Sequence, residues 1–334
     1  MEAKKLLEVT NLNVSFWKED RLLNAVKDVS FHINHGEIVA IVGESGSGKS
    51  VTAEALLGLH DSKATEVSGG IQLEGESVLS DTHSSLLKLR GKEIGIIFQD
   101  SMNSLDPVFK IENQFIETLK KHFKMNKKTA KKVAAESLKL AGVPDSDRVL
   151  NSYPHELSGG LQQRVMIALT ISCRPKLLIG DEPTTALDVT IQYQILSLLK
   201  SIQSELNTGI LLVTHDFGVV AEIATRVIVM YAGEIVESGK TSEIINNPLH
   251  PYTQSLLKSR IPKNQKRDEL LYTIKGKVPS LTEMPESGCR FAPRIPWAKS
   301  NSHETYPKLH EVSDGHLVRC TCWKAFNFQP EVAI

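Results

Sequence analysis

Short apolar runs alternate along this chain with longer stretches of helical period, and the two patterns predict different layers of one fold. The runs at 38–42, 94–98, 177–180 and 209–214 are four to six residues long and apolar on both faces, as in strands buried within a parallel sheet. Residues 51–57, 165–169 and 191–206 suit helices between them, so the order of elements predicts an α/β core. Residues 6–35 differ. Apolar and polar positions alternate at 7–9, 12–16 and 25–33, which predicts three short strands of an antiparallel sheet packed beside that core. Ile71-Gln72-Leu73-Glu74-Gly75 predicts a further strand and its turn. Residues 111–150 are lysine-rich, with Phe115, Leu119, Val133, Leu138 and Leu140 at helical spacing. They predict a helical subdomain, about residues 100–165, inserted into the sheet core, and the basic stretch from Lys120 to Lys132 reads as its solvated face.

Composition narrows the function. A length of 334 residues allows a large core and an appendage. Lys and Arg together number 39, as do Asp and Glu, so no global charge draws the chain to nucleic acid or to an anionic membrane. No apolar run approaches the ~18 residues of a membrane-spanning helix, and the residues after Met1 lack the apolar core of a signal peptide. A cytoplasmic protein is expected. Of four cysteines, Cys173 precedes a strand run and reads as a buried thiol. Cys289, Cys320 and Cys322 lie in the last fifth of the chain, where a cytosolic protein holds metal or a cluster sooner than disulfides.

Candidate chemistry gathers where the apolar runs end. Gly43-Glu44-Ser45-Gly46-Ser47-Gly48-Lys49-Ser50 follows the first run and precedes a helix, with the spacing of a phosphate-binding loop. Gly43, Gly46 and Gly48 permit the tight turn that aims backbone N–H groups at phosphate, and the segment from Gly43 through Ser45, Ser47 and Val51 is the expected nucleotide cradle. Lys49 reaches the β- and γ-phosphates and the Ser50 hydroxyl holds Mg²⁺. Gln99 ends the second run, in the crevice beyond the strand ends. Asp181 and Glu182 end the third: Asp181 completes the Mg²⁺ sphere, and Glu182 polarises a water for attack on the γ-phosphate. His215 ends the fourth and can contact a γ-phosphate or bond a carboxylate. Phe16 or Trp17 ends an early strand and can stack on adenine, though core packing fits the pattern equally. Leu157-Ser158-Gly159-Gly160 opens a second helix, with Ser158 as its cap and two glycines exposing N–H groups. One nucleotide does not need two anion-binding helix starts from one subunit, and the surplus predicts a dimer.

In this order, the phosphate loop, the strand-end glutamine, the Leu157–Gly160 signature, the Asp181-Glu182 pair, Ala186-Leu187-Asp188 and the strand-end His215 resemble an ABC-type ATPase, the nucleotide-binding subunit of a transporter. The resemblance spans about residues 5–255. It implies an α/β fold with a RecA-like P-loop NTPase core, an antiparallel β-subdomain and an inserted α-helical subdomain, using ATP and Mg²⁺. It also implies two domains joined head to tail, each ATP lying between one subunit's phosphate loop and the other's signature. Ser158, Gly159 and Gly160 would then bind the γ-phosphate held by the partner, with Asp188 at the interface. On the same grounds Phe16 stacks on adenine, Gln99 joins Ser50 and Asp181 near the metal and reports nucleotide state, and His215 senses the γ-phosphate. Lys49, Gln99, Glu182 and His215 form the implied catalytic set. Leu161 stands where many members have glutamine or methionine, which leaves the glycine geometry intact.

A narrower resemblance brings nearly the whole chain under cover, with residues 256–334 as its C-terminal extension. His250-Pro251-Tyr252-Thr253, Lys275-Gly276-Lys277-Val278-Pro279-Ser280, Gly288-Cys289-Arg290-Phe291-Ala292-Pro293-Arg294 and Gly315-His316-Leu317-Val318-Arg319-Cys320 resemble the small C-terminal extension of dipeptide, oligopeptide and nickel permease ATP-binding subunits, as does Asp188-Val189-Thr190-Ile191-Gln192. This implies a motor at the cytoplasmic face of the cell membrane that imports di- or oligopeptides, with nickel or another metal complex as the alternative cargo. The implied partners are a paralogous ABC ATPase in a heterodimer, two transmembrane permease subunits and an extracellular substrate-binding protein. Nucleic acid is not expected: ABC proteins of ribosomes or DNA carry two nucleotide domains in one chain or long coiled coils, and neither pattern occurs in this sequence. Many relatives carry four cysteines in the extension that look like iron–sulfur ligands. Cys289 and Cys320 hold the first and last of those positions, Ile295 and Ser302 stand at the middle two, and Cys322 adds only a third thiol. A cluster asks for four thiolates, so a packed remnant is expected in place of an iron–sulfur cluster, with a weak metal site as the alternative.

Overall fold

The computed structural model describes residues 4–78, 89–99, 104–185, 187–259, 272–285, 287–295 and 304–324. Ala186, Ser302 and residues 100–103, where the helical subdomain was expected to begin, lie outside the described residues.

The chain opens with β1 (Lys5–Lys18) and β2 (Arg21–Asn34), paired antiparallel, where the alternation pattern predicts three short strands. The break expected near residue 10 is a bulge. Register shifts between Val9 and Leu12, and Asn11 takes a left-handed φ of 46°. Its backbone N–H donates to Ser30 Oγ at 2.8 Å, and its side chain to Asp28, so polar groups carry the ladder across the irregularity. After β3 (Ile38–Val42) and α1 (Lys49–Leu56), β4 (Thr65–Leu73) joins β1 and turns through Glu74-Gly75 into β5 (Glu76–Ser77). The four-stranded sheet has the order β2-β1-β4-β5.

The remaining strands are β6 (Ile94–Ile97), β7 (Leu177–Asp181), β8 (Gly209–Thr214), β9 (Arg226–Tyr231), β10 (Glu234–Lys240), β11 (Leu309–Ser313) and β12 (His316–Arg319). With β3 they form an eight-stranded sheet in the order β11-β12-β10-β9-β3-β8-β7-β6. From β9 through β6 all neighbours are parallel. Both faces of that part are apolar because alternate residues of one strand enter different cores. Ile38, Ala40, Val42, Leu178, Ile210 and Leu212 pack on the helical side, while Val39, Ile41, Leu177, Ile179, Leu211 and Val213 pack with α1 and the antiparallel sheet. β3 lies between β8 and β9, so the crevice beyond its C-terminal end is where a ligand of an open α/β sheet binds.

The inserted helices are α2 (Ile111–Phe123), α3 (Lys127–Leu140), α4 (Ser146–Asn151) and α5 (Gly159–Ile171). Phe115, Leu119 and Leu138 are fully buried, whereas Val133 and Leu140 are half-buried at the rim. Lys127 and Lys131 of the basic stretch reach Glu112 on α2. Helices α6 (Val189–Leu206), α7 (Phe217–Ile223), α8 (Thr241–Asn246) and α9 (Pro251–Lys258) complete the core. The C-terminal hairpin β11-β12 adds to the sheet edge through β10, pairing Val318 with Glu237. Glu237 is wholly buried, and its carboxylate meets the Leu249 and His250 N–H groups and His316 Nε2 at 2.7 to 3.0 Å. Three partners thus satisfy the carboxylate, which removes the cost of burying that charge alone, and the His316 contact ties the extension to the core.

Candidate functional site

The phosphate loop leaves the end of β3 and turns into α1. Gly43 has no room for a side chain: a Cβ there would stand 2.2 Å from the Met230 carbonyl oxygen. Gly48 caps α1 at φ 99°, in the left-handed region that glycine enters without strain. The Ser47 N–H donates to Glu44 O at 3.2 Å, Gly233 N–H to Ser47 O at 2.9 Å, and Glu44 N–H to Tyr252 Oη at 2.8 Å. Lys49 is buried, and its ammonium donates to the carbonyls of Gly43 (2.8 Å) and Glu44 (2.9 Å). Burial lowers its pKa, against the attraction of Glu182, Asp181 and Glu44. A buried ammonium resting on carbonyls is well placed to take an anion.

A cavity of about 930 Å³ opens over this loop, lined by residues 43–51 together with Gln99, Glu182 and His215. Three strand ends therefore meet at one space, as their polar terminal residues predict. Ser50 Oγ donates to Asp181 Oδ1 at 3.1 Å, which joins the loop hydroxyl to the carboxylate ending β7. Burial raises the pKa of Asp181, and the Ser50 bond only partly offsets it. A carboxylate short of counter-charge beside a hydroxyl fits a hard divalent cation, so Ser50 and Asp181, with Gln99 across the cavity, suit Mg²⁺. The ion supplies charge neutralisation at the phosphates when bound.

Glu182 directly follows β7 with a φ of 46°, a conformation uncommon outside glycine, and its N–H donates to Val213 O at 2.9 Å. The turn sends Glu182 away from its neighbour Asp181. Its Oε2 accepts the Thr185 hydroxyl at 2.8 Å, and its Oε1 lies 3.1 Å from His215 Nδ1. Burial opposes ionisation, but these two partners outweigh it and hold the carboxyl below its ordinary range. Glu182 is thus an oriented carboxylate at the cavity wall, suited chemically to accept a proton.

Other predicted residues stand elsewhere. Phe16 packs edge-on against His60, ring centroids 5.7 Å apart, and is not among the residues that line the cavity. Ser158, Gly159 and Gly160 at the start of α5 are not either. Ser158 occupies the N-cap position, yet its side chain makes no capping bond, contrary to the expected use as a cap, and it and Gly159 are exposed. Asp188 caps α6 by accepting the Ile191 N–H at 2.9 Å.

Sequence reasoning missed three positioning residues. Gln163 is buried and donates Nε2 to Pro183 O at 2.8 Å, tying α5 to the residue after Glu182. Tyr252 and Arg294 both hold Glu44 of the phosphate loop, Arg294 through a 2.6 Å ion pair. The tyrosine and arginine lie 208 and 250 residues away from Glu44, a separation no local pattern reveals.

Residues 26–185 match the family model of the ABC transporter, and residues 236–301 match that of the oligopeptide/dipeptide transporter C-terminal region. The oligopeptide transport ATP-binding protein AppD of Bacillus subtilis (strain 168) is 48% identical over 316 residues, covering 94% of this chain and 96% of that protein. The oligopeptide transport ATP-binding protein OppD of Lactococcus lactis subsp. cremoris (strain SK11) is 44% identical over 329 residues, 98% of this chain and 97% of that protein. Among solved structures, the dimeric post-hydrolysis state of the ATP-binding cassette MJ0796 bound to ADP and Pi matches with a TM-score of 0.63 at 30% identity, over 71% of this chain and 99% of that one. The cbiO1 protein of Clostridium perfringens, part of the ABC transporter complex cbiONQ, matches with a TM-score of 0.63 at 29% identity, over 73% and 92%. Among the described residues no helix is long and apolar enough to cross a membrane. The chain belongs to the ABC transporter family, as an ATP-binding subunit that hydrolyses ATP with Mg²⁺ and carries the oligopeptide/dipeptide C-terminal region.

Proposed function

We propose that this chain is the motor of a membrane importer of di- or oligopeptides, and that a partner's signature segment closes over its ATP while Glu182 activates the attacking water. One observation carries this reading: the cavity over residues 43–51 gathers Lys49, Gln99, Glu182 and His215, while the second helix start, at Ser158–Gly160, stands outside it with Ser158 and Gly159 exposed. A head-to-tail pair uses both. Lys49 takes the β- and γ-phosphate charge, Ser50, Asp181 and Gln99 hold Mg²⁺, and His215 aligns Glu182 and senses the γ-phosphate. Little covalent help is needed, since phosphoryl transfer is accelerated mainly by positioning and charge neutralisation. Phe16 stacks on the adenine from β1 of the antiparallel sheet. Ser158, Gly159, Gly160 and Asp188 serve the partner's nucleotide.

An ATPase of this family works with membrane permeases. The finer assembly we infer is a heterodimer with a paralogous ATPase, at the cytoplasmic face of the cell membrane, beneath two permeases fed by an extracellular binding protein. Residues 1–255 form the ATPase unit and 256–334 the extension. Burial of Ile295 in the same apolar cluster as Phe291 supports reading the cysteine-bearing segment as packed fold without a cluster. The names of AppD and OppD support the peptide cargo. In cells lacking this chain, uptake of a labelled tripeptide is expected to be lost, restored by the wild-type gene and not by Glu182→Gln. Intact tripeptide uptake together with lost nickel uptake would replace the cargo.

A further inference from the structure

The cavity is not walled by the core alone. Leu256, Gly276, Lys277 and Val278, all within residues 256–334, also line it. Arg294 holds them there. Its guanidinium is nearly buried and forms a two-pronged pair with Glu44, Nη1 to Oε2 at 2.6 Å and Nη2 to Oε1 at 3.2 Å. The same group donates to three successive carbonyls, Lys275 O at 2.7 Å and Ile274 O and Gly276 O at 3.3 Å each. One cation therefore joins the second residue of the phosphate loop to the segment that walls the cavity. Such a fork sets distance and direction together, which a lysine in its place would not.

The place of attachment matters. Lys49 donates to the carbonyls of Gly43 and Glu44, so its ammonium lies at the Glu44 end of the loop, the end that receives the terminal phosphates. The wall bound to Glu44 borders that end. Lys277, in the wall, is exposed and has no carboxylate partner among the described residues.

We propose that residues 276–278 of the extension form part of this chain's own nucleotide site, with Lys277 contacting the terminal phosphate and Arg294 acting as a positioning residue that holds the wall against Glu44. This rests on the cavity being the nucleotide site. It gives the extension a direct part in telling ATP from nucleotides with fewer phosphates.

Calorimetric titration of the full chain with ATP, ADP and AMP tests it. Lys277→Ala is expected to weaken ATP roughly tenfold, ADP less, and AMP not at all, with an unchanged thermal midpoint, while Lys277→Arg stays within about twofold of wild type. Arg294→Lys should likewise weaken ATP more than AMP, a selectivity that general loosening of the fold would not produce. Unchanged ATP affinity in Lys277→Ala, or equal weakening of all three nucleotides, would overturn the proposal. Lys49→Ala separates the two claims: if it binds ATP as wild type does, the cavity reading fails; if it loses ATP while Lys277→Ala keeps it, only the wall fails.

Discussion

Two helix starts in this chain carry similar chemistry in opposite settings. At α1 the glycine loop is braced: Ser47 and Lys49 are buried, and Tyr252, Gly233 and Arg294 hold the loop from distant parts of the chain, while Ser45, Gly46 and Ser50 face the cavity. At α5 the segment Ser158–Gly160 is largely exposed, and its cap residue spends no side-chain bond on its own helix. Preorganisation of the first suits tight holding of one phosphate chain. Openness of the second suits a ligand brought by another molecule. On the head-to-tail reading proposed above, one chain thus holds a preorganised half-site and one that a partner's nucleotide completes.

The contrast can be broken from either side. The largest effect should come from Ser158→Arg, which fills the open start with a bulky cation. Hydrolysis in the pocket it completes is expected to fall roughly a hundredfold in a single-turnover quench of the assembled complex, while nucleotide binding in this chain's own cavity stays within about twofold. Equal loss of both would merge the two sites into one. A smaller effect is expected from His215→Ala. The bond from His215 stabilises the Glu182 carboxylate, so its removal raises that pKa, and the acidic limb of the rate moves to higher pH. A pH–rate profile should show turnover falling sooner on acidification than in the wild type. An unmoved limb would detach His215 from Glu182. The smallest is Asp188→Ala, which removes the α6 cap and should cost about 1 kcal/mol in denaturant unfolding, with Asp188→Ser restoring most of it.

How much of this was legible depended on distance along the chain. The parallel strands were readable because residues such as 38–42 are apolar on both faces, and the site because each strand ends in a polar residue that has no structural reason to be there. The phosphate loop carried its own spacing. Residues 6–35 read as three strands where two form, because a bulge at Asn11 interrupts alternation without ending the ladder. Ser158 was misread as a side-chain cap because its residue type fits that use, whereas the geometry leaves the hydroxyl unspent. The Arg294–Glu44 pair could not be read at all, since nothing near either residue refers to the other. The extension's place on the sheet edge was hidden for the same reason, resting on a buried Glu237 that looks like any strand glutamate.

The most direct test follows the fate of ATP in the complex when only this chain carries Glu182→Gln. Glu182 faces the cavity of its own phosphate loop, so the changed pocket should bind ATP normally and keep it uncleaved through a time in which wild type converts all its bound nucleotide to ADP. Conversion of every bound ATP at the wild-type rate would contradict the assignment of Glu182 as the base and, with it, the division of labour between the closed half-site and the open one.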